Sequence, residues 1–157
     1  MKKIKILLFL IHTVVTIILF SVFISFRYQL KMKNDISSGA LTMSWDEVSK
    51  IPLLPNVGVT TIPIKSTQAL YKLLLTNQSA TDMLIEGSKA NPYISYSEYV
   101  LATYFLKFKM VDSAEVYAKK AFYNWPKNLN HYKLYNQILE AQKDTTEILK
   151  AYEYINE

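Results

Sequence analysis

The stretch DSAEVYAKKAFYNWP, residues 112–126, sets Ala114, Ala118 and Ala121 four and three residues apart, with Pro126 five residues further on. At 3.6 residues per turn, these alanines share one helical face. Half of the chain is hydrophobic, so larger apolar side chains were available for that face. Alanine buries little area, but it lets a neighbouring backbone come close, which a larger residue would overpack. The stretch therefore predicts a tight helix–helix contact.

The same spacing recurs. Counting 34 residues back gives Ala80, Leu84 and Gly87, and Pro126 maps onto Pro92. Leu70, Tyr104 and Ile138 keep the interval, as do Tyr71, Phe105 and Leu139. Counting forward gives Ile148, Tyr152 and Ile155, large where the earlier copies are small, as expected of a terminal helix with no further neighbour. Ser79-x-x-Asp82, Ser95-x-x-Glu98, Asp112-x-x-Glu115 and Asp144-x-x-Glu147 each offer a capping oxygen and a first-turn acid. Asn91-Pro92 marks a turn. Six helices are predicted, over 64–76, 79–90, 95–108, 112–124, 128–142 and 145–155.

A helix–turn–helix unit of this period, with an aromatic, then spaced small residues, then proline, resembles the tetratricopeptide repeat (TPR). The second copy matches best, through Leu101-Ala102, Phe105, Ala114, Ala118, Ala121 and Pro126. It departs at Lys109, where the family usually has glycine, and at Ala118, where a large residue is usual. In the first copy Thr67 and Gln68 replace the usual Leu-Gly pair. The resemblance implies an all-α fold with a TPR-like α-solenoid of about two and a half repeats. It implies that Ala114 and Ala121 receive the first helix of their own repeat, led by Leu101 and Phe105. It also implies a concave face carrying Lys65, Lys72, Tyr96, Tyr99, Thr103, Lys133 and Gln137.

The N-terminal part is of another kind. IKILLFLIHTVVTIILFSVFISF, residues 4–26, has one lysine at its start and no acid. Its length suits a helix crossing about 30 Å of hydrocarbon. It is too long for the apolar core of a cleaved signal peptide and ends without a small-residue cleavage pattern. Residues 1–33 are expected to form an uncleaved transmembrane anchor, with His12 bonded to a neighbouring helix or headgroup. The net charge of +5 and pI of about 9.2 belong to this end. Residues 1–33 hold six basic residues and no acid, whereas 34–157 hold twelve lysines and thirteen acids. The remainder is near neutral and lacks the basic face that nucleic-acid binding requires.

Residues 34–63 hold two of three glycines and three of five prolines and read as a linker. Within it, Ser44 and Glu47 form a capping box for a short helix, Trp45 to Lys50, which sets Trp45 near the membrane or as a cap on the domain. An extended strap follows over Ile51 to Val59. Residues 64–157 form the repeat domain.

The membrane segment, the W-x-E linker, TTIPIK, KANPYISYSE, DSAEVYAKKAF and LNHYKLY together resemble the tail of Bacteroidetes O-antigen polymerase or ligase-like membrane proteins, whose multi-span domain ends in a TPR region. That resemblance implies a setting in envelope glycan assembly and supplies no active site.

No residue pattern carries chemistry. The chain lacks cysteine, and no metal-binding, nucleophile-elbow or phosphate-loop motif accompanies its two histidines. His131 is expected on the surface of a first helical turn. No catalytic residue, cofactor or metal is expected, and the chain by itself is expected not to be an enzyme. The function expected is a membrane-anchored TPR module binding a protein partner, or an anionic chain such as a glycan. The alternative is a split or truncated piece of a glycan polymerase or ligase, acting in envelope polysaccharide assembly. The first lysines precede the apolar run, which favours a cytoplasmic N-terminus and an exported C-terminal domain, periplasmic in a Gram-negative cell.

Overall fold

The computed structural model describes residues 2–58, 61–76 and 79–156. Among them are eight helices and no strand: α1 (Lys2–Ser38), α2 (Trp45–Ser49), α3 (Ile64–Thr76), α4 (Thr81–Ser88), α5 (Tyr96–Lys107), α6 (Val111–Asn124), α7 (Leu129–Gln142) and α8 (Thr145–Asn156). The six helices expected after Pro63 are present, with ends shifted by a few residues. From α3 onward each helix packs on the next in chain order, and α3 also touches α1, α2 and α5.

The alanines of the opening stretch are fully buried. Ala114 and Ala118 share a core with Ala102, Phe122, Leu134, Tyr135, Ile138, Leu139 and Ala151. Leu101 belongs instead to the upstream layer, with Ala69, Ala80, Leu84 and Val100. Phe105 packs against both layers and stacks on Tyr117, with ring centroids 5.5 Å apart. Of the two α5 residues expected against the alanines, Phe105 is there, and Ala102 takes the place assigned to Leu101. In α8, Ile148 and Ile155 pack on the core while Tyr152 is exposed.

Gly87 shows how close the helices come. A Cβ added there would lie 2.8 Å from Ser66 N and 3.2 Å from Ser66 Cα, so the backbone of α3 occupies the space any larger residue needs.

The helix ends repeat as well. Lys109 N donates to Leu106 O and Met110 N to Phe105 O; 34 residues later Lys143 N donates to Glu140 O and Asp144 N to Leu139 O. Lys109 and Lys143 hold φ of 59° and 60°, so both turns close as Schellman caps with lysine in the left-handed position usually filled by glycine. Asp144 caps α8 by accepting from Glu147 N at 3.0 Å. The other three predicted caps are not formed. The residues preceding α4, α5 and α6 are Ala80, Ser95 and Met110, none with a side-chain cap. Ser95 accepts from Asn124 Nδ2 and donates to Pro92 O instead.

The largest departure is α1. It continues twelve residues past Phe26 to Ser38, so the boundary expected at residue 33 falls inside a helix. Its extension is docked along one face. Ser25 and Gln29 are buried and bonded to each other, and Met32 enters a core with Met43, Val48, Ile51, Ile64 and Tyr71. Asp35 accepts from Tyr71 Oη at 2.7 Å and from Thr42 N at 2.8 Å. The 34–63 stretch is therefore anchored to the fold at intervals, through Asp35, Met43, Val48 and Ile51, with exposed residues between them. The Ser44–Glu47 capping box is present as expected. The strap expected to run extended from Ile51 instead bends at Ile51 and again at 54–56, before one bridge between Val57 and Pro63; Val59 lies outside the described residues.

Of α1, only the part before this docked extension is fully exposed, from Lys3 to Phe20. It is the one helix among the described residues long and apolar enough to cross a membrane.

Candidate functional site

Leu70, Leu73 and Leu74 fall on one stripe of α3, and Tyr96, Tyr99, Val100, Thr103 and Lys107 on one stripe of α5. Residues three and four apart stack along a helix face, so the two stripes face each other across a groove of about 280 Å³. Tyr104 and Phe108 complete its wall, their rings 4.8 Å apart. The lining is apolar apart from three tyrosine hydroxyls, Thr103 and Lys107. Lys107 is the one charged lining residue. The Thr103 hydroxyl donates to Tyr99 O within its own helix. Burial, with the Tyr99 phenol beside it, pushes the Tyr96 phenol up to about 12, so it stays a neutral donor.

Of the residues expected on one concave face, the structure brings together Tyr96, Tyr99 and Thr103. Lys65 is paired with Glu86 at 2.9 Å. Lys72 lies 5.2 Å from the ring centroid of Trp45, a cation–π contact. Lys133 and Gln137 are exposed on α7 and do not line the groove. Leu73, Leu74, Tyr104, Lys107 and Phe108 were not anticipated. Extending the Tyr96–Tyr99–Thr103 stripe by one turn leads to Lys107.

Towards α7, His131 stacks on Tyr99 at 5.3 Å and meets Trp125 edge-on. His131 is 4% exposed, and its Nδ1 lies 3.0 Å from Ala121 O. It is a core residue, contrary to the expectation of a surface position. Burial lowers its affinity for a proton, so it is held neutral. The chief signal missed was position: His131 begins the apolar face of α7 that continues through Leu134, Tyr135 and Ile138.

Beneath these rings, Glu98 is 2% exposed and pairs with Lys120 at 2.9 Å, while its Oε2 has no hydrogen-bond partner among the described residues. A second apolar cavity, about 400 Å³, lies between the α1 extension (Phe26, Leu30, Ile36) and Ile62, Thr67 and Tyr96. Tyr96 thus stands between the two hollows.

No cluster of three or more His, Asp or Glu side chains suited to a metal occurs among the described residues. Comparison with protein-family models, with curated proteins and with solved structures found no match to this chain.

Proposed function

We propose that this chain is a membrane-anchored, TPR-like interaction module that captures an apolar segment of a protein partner in the groove between α3 and α5. The repeat reading is supported by the sequential helix packing, by the buried small positions Ala80, Gly87, Ala114 and Ala121, and by the two Schellman caps 34 residues apart. The partner reading rests on the composition of the groove. Leucines and aromatic rings line it, with hydroxyls and a single lysine to orient what binds.

A glycan would need many polar partners and an anionic chain would need free cations. Lys65 and Lys72 are engaged by Glu86 and Trp45, which removes two cations on which that alternative relied. The module works on the exported side, carried by α1.

The test is a photoreactive benzoylphenylalanine in place of Phe108, which is 53% exposed at the groove wall, in native membranes. The expected result is a discrete protein adduct that is absent when the same group replaces Glu153 on α8 and is lost with Leu73→Asp. Identical products from both positions would contradict the proposal. A protease-resistant adduct that stains for carbohydrate would favour the glycan alternative.

A further inference from the structure

We propose that the loop Ile51–Pro55 enters the membrane interface beside α1, as a second contact with the bilayer. The proposal rests on α1 spanning that bilayer.

Four observations carry it. Ser25, the second-to-last residue of the apolar run, donates its hydroxyl to Pro52 O at 2.8 Å. This fixes the loop at the level where the span leaves the hydrocarbon. Shielding of α1 begins still earlier: Lys3 to Phe20 are all exposed, whereas Ser21 and Val22 are half-buried. The folded part therefore reaches about one turn inside the end of the apolar run. Leu53 and Leu54 follow Pro52 directly and are 36% and 53% exposed. Finally, Pro52 and Pro55 bring no backbone N–H, so the loop has fewer donors to satisfy in a medium with little water.

The occupant of this apolar tip is a lipid surface at the headgroup–acyl boundary. A protein partner is disfavoured by position, because the tip is level with the end of the span. Arg27, Lys31 and Lys33 lie on the next turns of α1 with no acid before Asp35. They suit the anionic headgroup layer immediately above the two leucines. The loop would fix the height and tilt of the helical domain over the bilayer, which a single helix leaves free to rotate.

The chain has no cysteine, so single thiols can be placed at will. Full-length Leu54→Cys, Phe23→Cys and Glu153→Cys, each carrying the environment-sensitive fluorophore NBD, are reconstituted in phosphatidylcholine–phosphatidylglycerol vesicles with and without brominated acyl chains. The expected result is a blue-shifted emission from position 54 that brominated lipid quenches, as at position 23, with no quenching at 153. Quenching at 23 but not at 54 overturns the loop proposal, whether the label at 54 is in water or shielded by protein. No quenching at 23 overturns the spanning reading of α1 and the loop with it. Leu54 makes no core contact, and unchanged helical circular dichroism of each variant shows that the fold is retained.

Discussion

At the level of single residues, the helix stack depends on small side chains placed where backbones meet. Gly87→Ala adds a methyl group against the backbone of Ser66, which cannot swing aside as a side chain could. Ala114→Leu inserts three carbons into a fully buried site. Each substitution should destabilise by about 1–3 kcal/mol, read as a lowered denaturant midpoint. Lys109→Gly should do the opposite or nothing. The left-handed strain of about 1–2 kcal/mol is relieved, offset by glycine's entropy cost of about 0.5–1 kcal/mol. The sequence showed these positions because spacing repeats even where residue type does not. It showed His131 at the head of the apolar face of α7, but not the rings of Tyr99 and Trp125 that pack against it from other elements.

Glu147 gives the same scale a pH dependence. Its Oε1 accepts from Lys119 at 2.8 Å and from Tyr135 at 3.0 Å. The Lys119 hydrogen bond, against the opposing effect of burial and with help from Tyr135, brings its carboxyl down to about 2 from an ordinary 4.5. A carboxyl lowered in the folded state stabilises fully above its unfolded value and loses that contribution as pH falls through the folded one. Thermal stability should therefore decline between about pH 4.5 and pH 2 on this account. Glu147→Gln should flatten that decline and lower stability at neutral pH.

At the level of elements, α1 is the informative case. Its apolar half was legible from length and composition. Its continuation to Ser38 was not, because residues 27–38 are polar enough to read as linker. They hold together through tertiary contacts: Met32 in a core, and Asp35 gripped by Tyr71 and Thr42. Sequence spacing alone cannot show that Asp35 meets a tyrosine 36 residues away. Tyr71→Phe removes the donor to Asp35 and the acceptor for Met43 N. Both groups are buried, so a loss of about 1–3 kcal/mol is expected. Amide exchange should rise selectively at Thr42 and Met43, and unchanged exchange there would show that α1 and α3 are held by apolar packing alone. Capping follows the same lesson. Asp144 and Ser44 cap as their spacing predicts, while Ser95 is drawn away by Asn124 from another helix.

At the level of the whole molecule, an exposed apolar helix, a docked extension and a stack of helices form one continuous path from the candidate membrane span to the groove. The groove itself was half legible. Tyr96, Tyr99 and Thr103 came from the repeat register, whereas the leucines of α3 look like ordinary core until the gap between α3 and α5 is seen. Orientation is the least legible property, because Lys2, Lys3 and Lys5 stand at one end of the apolar run and Arg27, Lys31 and Lys33 at the other. The proposed function puts a partner-binding groove on the exported face, carried there by a membrane-spanning helix. It is tested most directly by the reactivity of Thr103→Cys, the sole thiol in the chain, with a membrane-impermeant maleimide in spheroplasts. The account predicts labelling without permeabilisation, at a rate matching that after detergent. Labelling that appears only once the membrane is opened would place the groove in the cytoplasm and contradict the account.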